Sequence, residues 1–145
     1  MPLLAVRHIQ DFYRRFPTND ACLEYLFALR FPDVVCPHCG RKNAYHRQTH
    51  NPCFICTCGC SQFYPRKGTL FENSPLPLTQ WFFALFFLWS EKGCVTPAEL
   101  QRKVHVTYAT ASRMMKRMRS AMPRKRLTTE RPAFESFLAS VAKGR

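Results

Sequence analysis

The segments Cys36-Pro-His-Cys39-Gly40 and Cys56-Thr-Cys58-Gly-Cys60 decide how this chain folds. Sixteen residues lie between Cys39 and Cys56. Paired cysteines at this separation suit a tetrahedral metal ion, because each tight turn supplies two thiolates and the intervening hairpin closes the site. We therefore predict a structural zinc ribbon. Four thiolates leave no open coordination position, so we expect the Zn²⁺ to stabilise the fold and not to catalyse a reaction.

The second segment contains more thiols than one Zn²⁺ needs. Cys36 and Cys39 are the predicted ligands from the first turn. Cys56 with Cys60 completes the preferred set, because a gap of three residues lets both sulfurs reach one ion. Cys58 is the alternative fourth ligand, since the glycine after it could adopt the left-handed conformation of a metal knuckle.

Positive charge is concentrated in the last third of the chain. The 145 residues carry a formal charge of +13, and residues 101–145 contain 12 Lys and Arg against two Glu, a net +10. A segment of this kind favours a polyanionic partner, of which the nucleic-acid backbone is the commonest.

Nothing in the sequence pattern indicates secretion or a membrane. The N-terminal residues lack the charged start and long apolar core of a signal peptide, so the paired cysteines favour metal binding in a reducing cytosol. The apolar run from Trp81 to Trp89 has nine residues, whereas a spanning helix needs roughly 20. We expect a buried core helix there with Thr79 as its N-cap, and a cytoplasmic, nucleoid-associated protein.

The hydrophobic periodicity predicts a mainly α chain with a small β zinc ribbon and a helix-turn-helix DNA-binding module. We expect N-terminal helices over 1–33, the zinc ribbon over 34–72, the helix-turn-helix over 73–123, and a basic tail with a short C-terminal helix over 124–145.

Two capping signals support the helix-turn-helix prediction. Thr96 precedes Pro97 and is followed by Glu99, which is the pattern of a capping box with proline at the first helical position. Thr107 then begins a longer helix that runs to about Met122. In a helix-turn-helix the second helix lies in the major groove with its early residues at base edges.

The predicted DNA contacts lie on this second helix and just after it. Some suit base edges and others suit phosphates. The expected base-reading residues are Tyr108, Thr110, Ser112, Arg113 and Arg117. The expected phosphate contacts are Lys116, Arg119, Arg124, Lys125 and Arg126.

No catalytic set emerges, so we expect a protein that is not an enzyme. A nucleophile and base formed by Cys94 and His105 would rest on sequence proximity alone, and Cys94 is expected to be buried at the end of a helical segment.

Five short motifs occur in order between about Phe12 and Met122. They are Leu29-Arg-Phe-Pro-Asp33, Cys36-Pro-His-Cys-Gly40, Gly68-Thr-Leu-Phe71, Leu76-Pro-Leu-Thr-Gln-Trp81 and Val106-Thr-Tyr-Ala-Thr-Ala111. In order and spacing they resemble the N-terminal region of bacterial insertion-sequence transposases. The resemblance implies a zinc ribbon and a helix-turn-helix, which in those proteins precede an RNase H-like nuclease domain with three carboxylates.

The chain departs from that pattern in two places. The family places a cysteine of its second pair three residues before a Gln-Phe pair, and Gly59 occupies that position here. The sequence also ends 23 residues after Met122, and its only acidic residues beyond that point are Glu130 and Glu135. A two-metal nuclease site needs more carboxylates than this, so we expect the catalytic domain to be absent.

The leading hypothesis is a sequence-specific double-stranded DNA-binding protein related to a transposase end-recognition region, with structural Zn²⁺ and without the nuclease. A separate catalytic or assembly protein is a further candidate partner. The alternative is a structural or accessory subunit of a larger nucleoprotein assembly that binds nucleic acid nonspecifically and docks through Trp81–Trp89 and the Phe134-Phe137-Leu138 face. The sequence does not define the DNA target sequence or the oligomeric state. It also leaves open whether the protein is a regulator, an accessory subunit or a truncated remnant.

Overall fold

The computed structural model describes residues 8–48, 50–122 and 133–142. The described part is about half helical with one small antiparallel sheet of three strands. The elements in chain order are α1 (Ile9–Arg15), α2 (Asn19–Arg30), β1 (Tyr45–Arg47), β2 (Phe54–Cys56), β3 (Gln62–Phe63), α3 (Leu78–Ser90), α4 (Pro97–Val104), α5 (Tyr108–Ala121) and α6 (Phe134–Ala142).

Helix α3 forms the centre of the core, as expected for the apolar run. It packs against α2, α4 and α6, and Trp81 and Trp89 are both buried. The indole N–H of Trp81 donates a hydrogen bond to Ser74 Oγ at 2.9 Å, which satisfies its one polar atom. None of the helices in the described residues has the length and apolarity needed to cross a membrane.

The start of α3 differs from the prediction that Thr79 is its N-cap. The helix begins at Leu78 with Pro77 in the N-cap position. The Thr79 hydroxyl instead donates to Asn19 Oδ1 at 3.1 Å, so it links α3 to the start of α2. This long-range partner competes with the local capping role.

The C-terminal helix closes the core beside α1. Phe134 is fully buried, and its ring lies 5.4 Å from that of Phe86 and 5.6 Å from that of Trp89 between centroids. Phe12 of α1 contacts the same cluster, with its ring 5.2 Å from Phe86. The face of α6 formed by Phe134, Phe137 and Leu138 is therefore internal.

The three strands pair in the order β1-β2-β3, with Phe54 opposite Phe63 in the β2–β3 register. Both side chains lie on aromatic rings of the α2 end: Phe54 stacks on Phe27 at 4.1 Å and Phe63 on Phe31 at 4.4 Å. This aromatic contact fixes the sheet, and the cysteine turns that flank it, against the helical core.

Two arginines hold the connection between β3 and α3, residues 64–77, which contains no helix or strand. Arg30 Nη1 donates to Pro65 O at 2.7 Å and to Lys67 O at 2.6 Å. Arg66 Nη2 donates to Phe71 O and Ser74 O, each at 2.9 Å. Carbonyls without secondary-structure partners are thereby satisfied, and the connection has a defined path.

Candidate metal centre and nucleic-acid interface

Two similar turns carry the candidate metal ligands. Gly40 N donates to Cys36 O at 2.9 Å in the first, and Gly59 N donates to Cys56 O at 2.8 Å in the second. Both glycines have left-handed backbones, with φ of 72° and 78°. Nothing lies within 4 Å of a Cβ built at either position, so the conformation and not lack of space favours glycine here.

The turns bring four sulfur atoms together. The Sγ atoms of Cys36, Cys39, Cys56 and Cys58 all lie within 4.8 Å of one another. Cys36 Sγ is 3.6 Å from Cys58 Sγ, and Cys39 Sγ is 3.5 Å from Cys56 Sγ. Sulfurs placed roughly 2.3 Å from a tetrahedral ion lie about 3.8 Å apart. The cluster could therefore hold a metal ion.

The fourth member of the cluster is Cys58 and not the preferred Cys60. Cys60 is exposed, and its Sγ contacts the carbonyl oxygen of Cys58 at 3.7 Å without joining the four sulfurs. The physical reason is the left-handed Gly59, which reverses the chain directly after Cys58. In both turns the glycine follows the second cysteine of the cluster, and this parallel was the available sequence signal.

The pKa values of the Cys36 and Cys58 thiols are shifted in opposite directions. Hydrogen bonds from the backbone N–H of Cys39, and then of His38, lower the pKa of the Cys36 thiol to about 6, against the effect of desolvation. At Cys58 the backbone N–H of Cys60 lowers the pKa, but desolvation and the neighbouring sulfurs outweigh it and raise the pKa to about 12. One thiolate in the cluster thus disfavours the next, and a bound cation would relieve that repulsion.

Helices α4 and α5 are joined by a short turn of residues 105–107. Thr96 and Glu99 form the predicted capping box: Thr96 N donates to Glu99 Oε2 at 2.9 Å, and Glu99 N donates to Thr96 Oγ1 at 3.3 Å. His105 closes α4 in a left-handed conformation with φ of 60°. Thr107 caps α5 as predicted, accepting from Thr110 N at 3.2 Å.

Helix α5 has one buried and one exposed face. Its buried residues are Ala111, Met114, Met115 and Met118. Tyr108 is 56% exposed, and Ser112, Arg113 and Lys116 are also exposed. Neither Arg113 nor Lys116 forms an ion pair with another residue in the described part of the chain. The outer face therefore presents a phenol, a hydroxyl and two free cations to solvent.

Three residues predicted to contact DNA have partners within the protein. Arg117 Nη1 donates to Leu70 O at 3.2 Å and to Glu72 O at 3.1 Å. Arg119 Nη2 donates to the carbonyl of Val95 at 3.2 Å, and the Thr110 hydroxyl lies 2.9 Å from the Thr107 hydroxyl. The two arginine contacts tie α5 to distant loops, which helical periodicity cannot reveal, whereas the Thr110 contact is local to the helix start.

The remaining predicted residues give two further results. Arg124, Lys125 and Arg126 lie outside the described residues. Cys94 is exposed, contrary to the expected burial, because it lies in the turn after α3 and not on the helix itself.

No family model matches this chain, and comparisons with curated proteins and with solved structures give no match either. The functional assignment therefore depends on the residues and contacts of this molecule.

Proposed function

We propose that this chain is a sequence-specific double-stranded DNA-binding protein, in which α4, the turn and α5 form a helix-turn-helix and the four-cysteine cluster holds a structural Zn²⁺. The single observation that carries the proposal is the exposed polar face of α5. As the sequence resemblance implies, we further propose a relation to the end-recognition region of insertion-sequence transposases. The proposal assigns recognition, and not catalysis, to this chain.

The arrangement of side chains on α5 suits a recognition helix. Tyr108, Ser112 and Lys116 are spaced four residues apart and form one row along the exposed face, with Arg113 beside it. Arginine can pair bidentately with a guanine edge, serine can contact several bases, and lysine can reach a phosphate. Residues 101–145 carry a net +10, which favours association with a duplex.

Helix α4 suits the supporting position of a helix-turn-helix. Its capping box fixes its start, Leu100 and Val104 are buried, and α5 follows after three residues. Helix-turn-helix motifs use a turn of three to four residues that often contains glycine. This turn has no glycine, and His105 adopts the left-handed backbone that glycine favours.

The cluster of four sulfurs favours Zn²⁺ over harder cations. Thiolates are soft ligands that select Zn²⁺ or iron, whereas Mg²⁺ and Ca²⁺ prefer oxygen. Cys36, Cys39, Cys56 and Cys58 would hold the ion, and the closed ligand set would supply cross-linking and no chemistry. Metal analysis of protein purified without added metal should find one zinc per chain. Iron in its place would contradict the Zn²⁺ assignment.

The accessory-subunit alternative loses the docking surfaces on which it depended. Trp81 and Trp89 are buried in α3, and Phe134 and Phe137 are buried in α6. Because these faces form the core of this molecule, they offer nothing to a partner protein.

Binding of fluorescent duplexes, followed by anisotropy at several salt concentrations, tests the proposal. We expect salt-dependent binding by the zinc-loaded protein. Arg113→Gln should weaken binding to the preferred duplex by about 1–3 kcal/mol and reduce discrimination between duplexes. Arg14→Gln removes the same charge from an exposed position on α1, and it should leave discrimination unchanged. Binding that both variants weaken equally on every duplex would contradict sequence-specific recognition by α5.

A further inference from the structure

A loop from outside the helix-turn-helix lies beside the proposed recognition helix. This segment, the Lys67–Asn73 loop, is joined to α5 through Arg117, whose Nη1 donates to the carbonyls of Leu70 and Glu72. Between them lies a groove of about 650 Å³. Lys116, Arg117 and Ser120 line its α5 side, and Ser140 and Val141 of α6 also border it. The loop residues that line it are Gly68, Thr69, Leu70, Glu72 and Asn73.

One hydrogen bond from α2 and two local hydrogen bonds fix the position of this loop. Arg30 Nη1 donates to Lys67 O at 2.6 Å, and the Thr69 hydroxyl donates to Arg66 O at 2.5 Å. Gly68 N donates to Glu72 Oε2 at 3.1 Å. The loop is therefore held between α2 and α5.

The loop exposes a positive charge and partly buries its negative one. Lys67 is exposed and forms no ion pair within the described ranges, whereas the one carboxylate of the loop, Glu72, is half-buried and accepts from a backbone amide of the loop itself. Lys67 directly precedes Gly68, which lines the groove together with Lys116, Arg117 and Glu72. Two cations in the groove and a third next to it in the chain, against one carboxylate, favour an extended polyanion over a neutral ligand.

We infer that the Lys67–Asn73 loop is a second DNA-contact element beside α5, an inference that rests on the proposed function. Lys67 and Lys116 contact phosphates of the DNA strand that borders the major groove, in which α5 lies. Arg117 is a positioning residue, because its two hydrogen bonds to loop carbonyls set the distance between the loop and the helix. The ligand that binds this surface is thus the sugar-phosphate backbone of a DNA duplex, which is recognised by charge and not by sequence.

Salt-dependence measurements test this inference on zinc-loaded full-length protein. Each phosphate contact contributes about 0.9 to the slope of log K against log salt. Lys67→Gln should lower that slope by about 0.9 and weaken binding to preferred and random duplexes by the same factor. Arg14→Gln, with the same change in charge, should leave the slope within error of the wild type.

The role of Arg117 is tested with a variant that keeps its charge. Arg117→Lys cannot bridge two carbonyls with a planar fork, so the loop should shift and the slope should fall as it does in Lys67→Gln. The double variant should show no further fall, because both changes remove the same contact. A merely structural role for Arg117 would lower Tm without changing the slope.

A third variant tests the sign of the electrostatic effect. Glu72→Gln keeps an acceptor for Gly68 N and removes the only negative charge of the loop, so it should tighten binding to all duplexes. If the wild type binds with salt dependence and Lys67→Gln has the same slope of log K against log salt, the loop inference is overturned and the proposed function stands. Absence of salt-dependent binding by the wild type would instead overturn the proposed function itself.

Discussion

Replacement of single cysteines gives the sharpest test of the metal centre. Cys58 Sγ lies 3.6 Å from Cys36 Sγ and belongs to the cluster of four, whereas Cys60 is exposed and outside it. Cys58→Ser should therefore weaken metal binding strongly, and Cys60→Ser, two residues away, should not. The two variants are matched in chemistry and differ only in whether the thiol reaches the cluster.

The size of the effect follows from the number of ligands. Structural Zn²⁺ in small domains contributes about 10–16 kcal/mol of apparent binding free energy. Divided equally among four thiolates, this is about 2.5–4 kcal/mol for each, which is on the order of a 10²- to 10³-fold change in affinity. We expect Cys58→Ser to lose that much affinity and Cys60→Ser to stay within about twofold of the wild type.

Competition with a chromogenic zinc chelator measures the affinity, and thermal unfolding at fixed free Zn²⁺ provides a check. When free Zn²⁺ is near 100 times the wild-type Kd, a 100-fold weaker site lowers the ligand-linked stability from about 2.7 to about 0.4 kcal/mol, a loss of about 2.3 kcal/mol. Equal affinities for the two serine variants, or a larger loss for Cys60→Ser, would refute the assignment of the fourth ligand.

Three further outcomes are expected. Thr96→Ala removes the side chain that caps α4 and should lower the free energy of unfolding by about 1 kcal/mol in urea titrations; an unchanged midpoint would contradict the capping role. Leu100→Ala empties a fully buried position on the same helix and should cost about 2–5 kcal/mol, and a loss below that of Thr96→Ala would show that the position is not in the core. In metal-loaded protein at pH 8, alkylation followed by mass spectrometry should modify the exposed Cys60 and Cys94 first. Cys22 should be spared, because burial raises the pKa of its thiol to about 12 and leaves it protonated; its early modification would contradict the packing of α2.

Local signals were sufficient for most of the architecture. The Thr96 capping box, the Thr107 cap and the apolar α3 depend on residues within one or two turns, and the structure has all three as expected. The inner face of α5 follows from the three- and four-residue spacing of its methionines. Such features need no knowledge of the rest of the fold.

Long-range contacts account for what the sequence pattern does not reveal. Arg117 and Arg119 are exposed cations, as the helical pattern indicates, and loop carbonyls at Leu70 and Val95 also accept hydrogen bonds from them. Thr79 is drawn to Asn19 on another helix. The choice between Cys58 and Cys60 depended on one backbone conformation, that of Gly59, which spacing alone leaves open.

Selection of bound duplexes from a random library tests the central claim most directly. Zinc-loaded protein is incubated with the library at near-physiological salt, and bound DNA is sequenced over successive rounds, with Arg113→Gln carried in parallel. We expect the wild type to enrich one motif and the variant to lose preference at a position within it, because α5 reads base edges. Recovery of duplexes with no common motif would contradict sequence-specific recognition, and an identical motif for both proteins would remove Arg113 from the recognition surface.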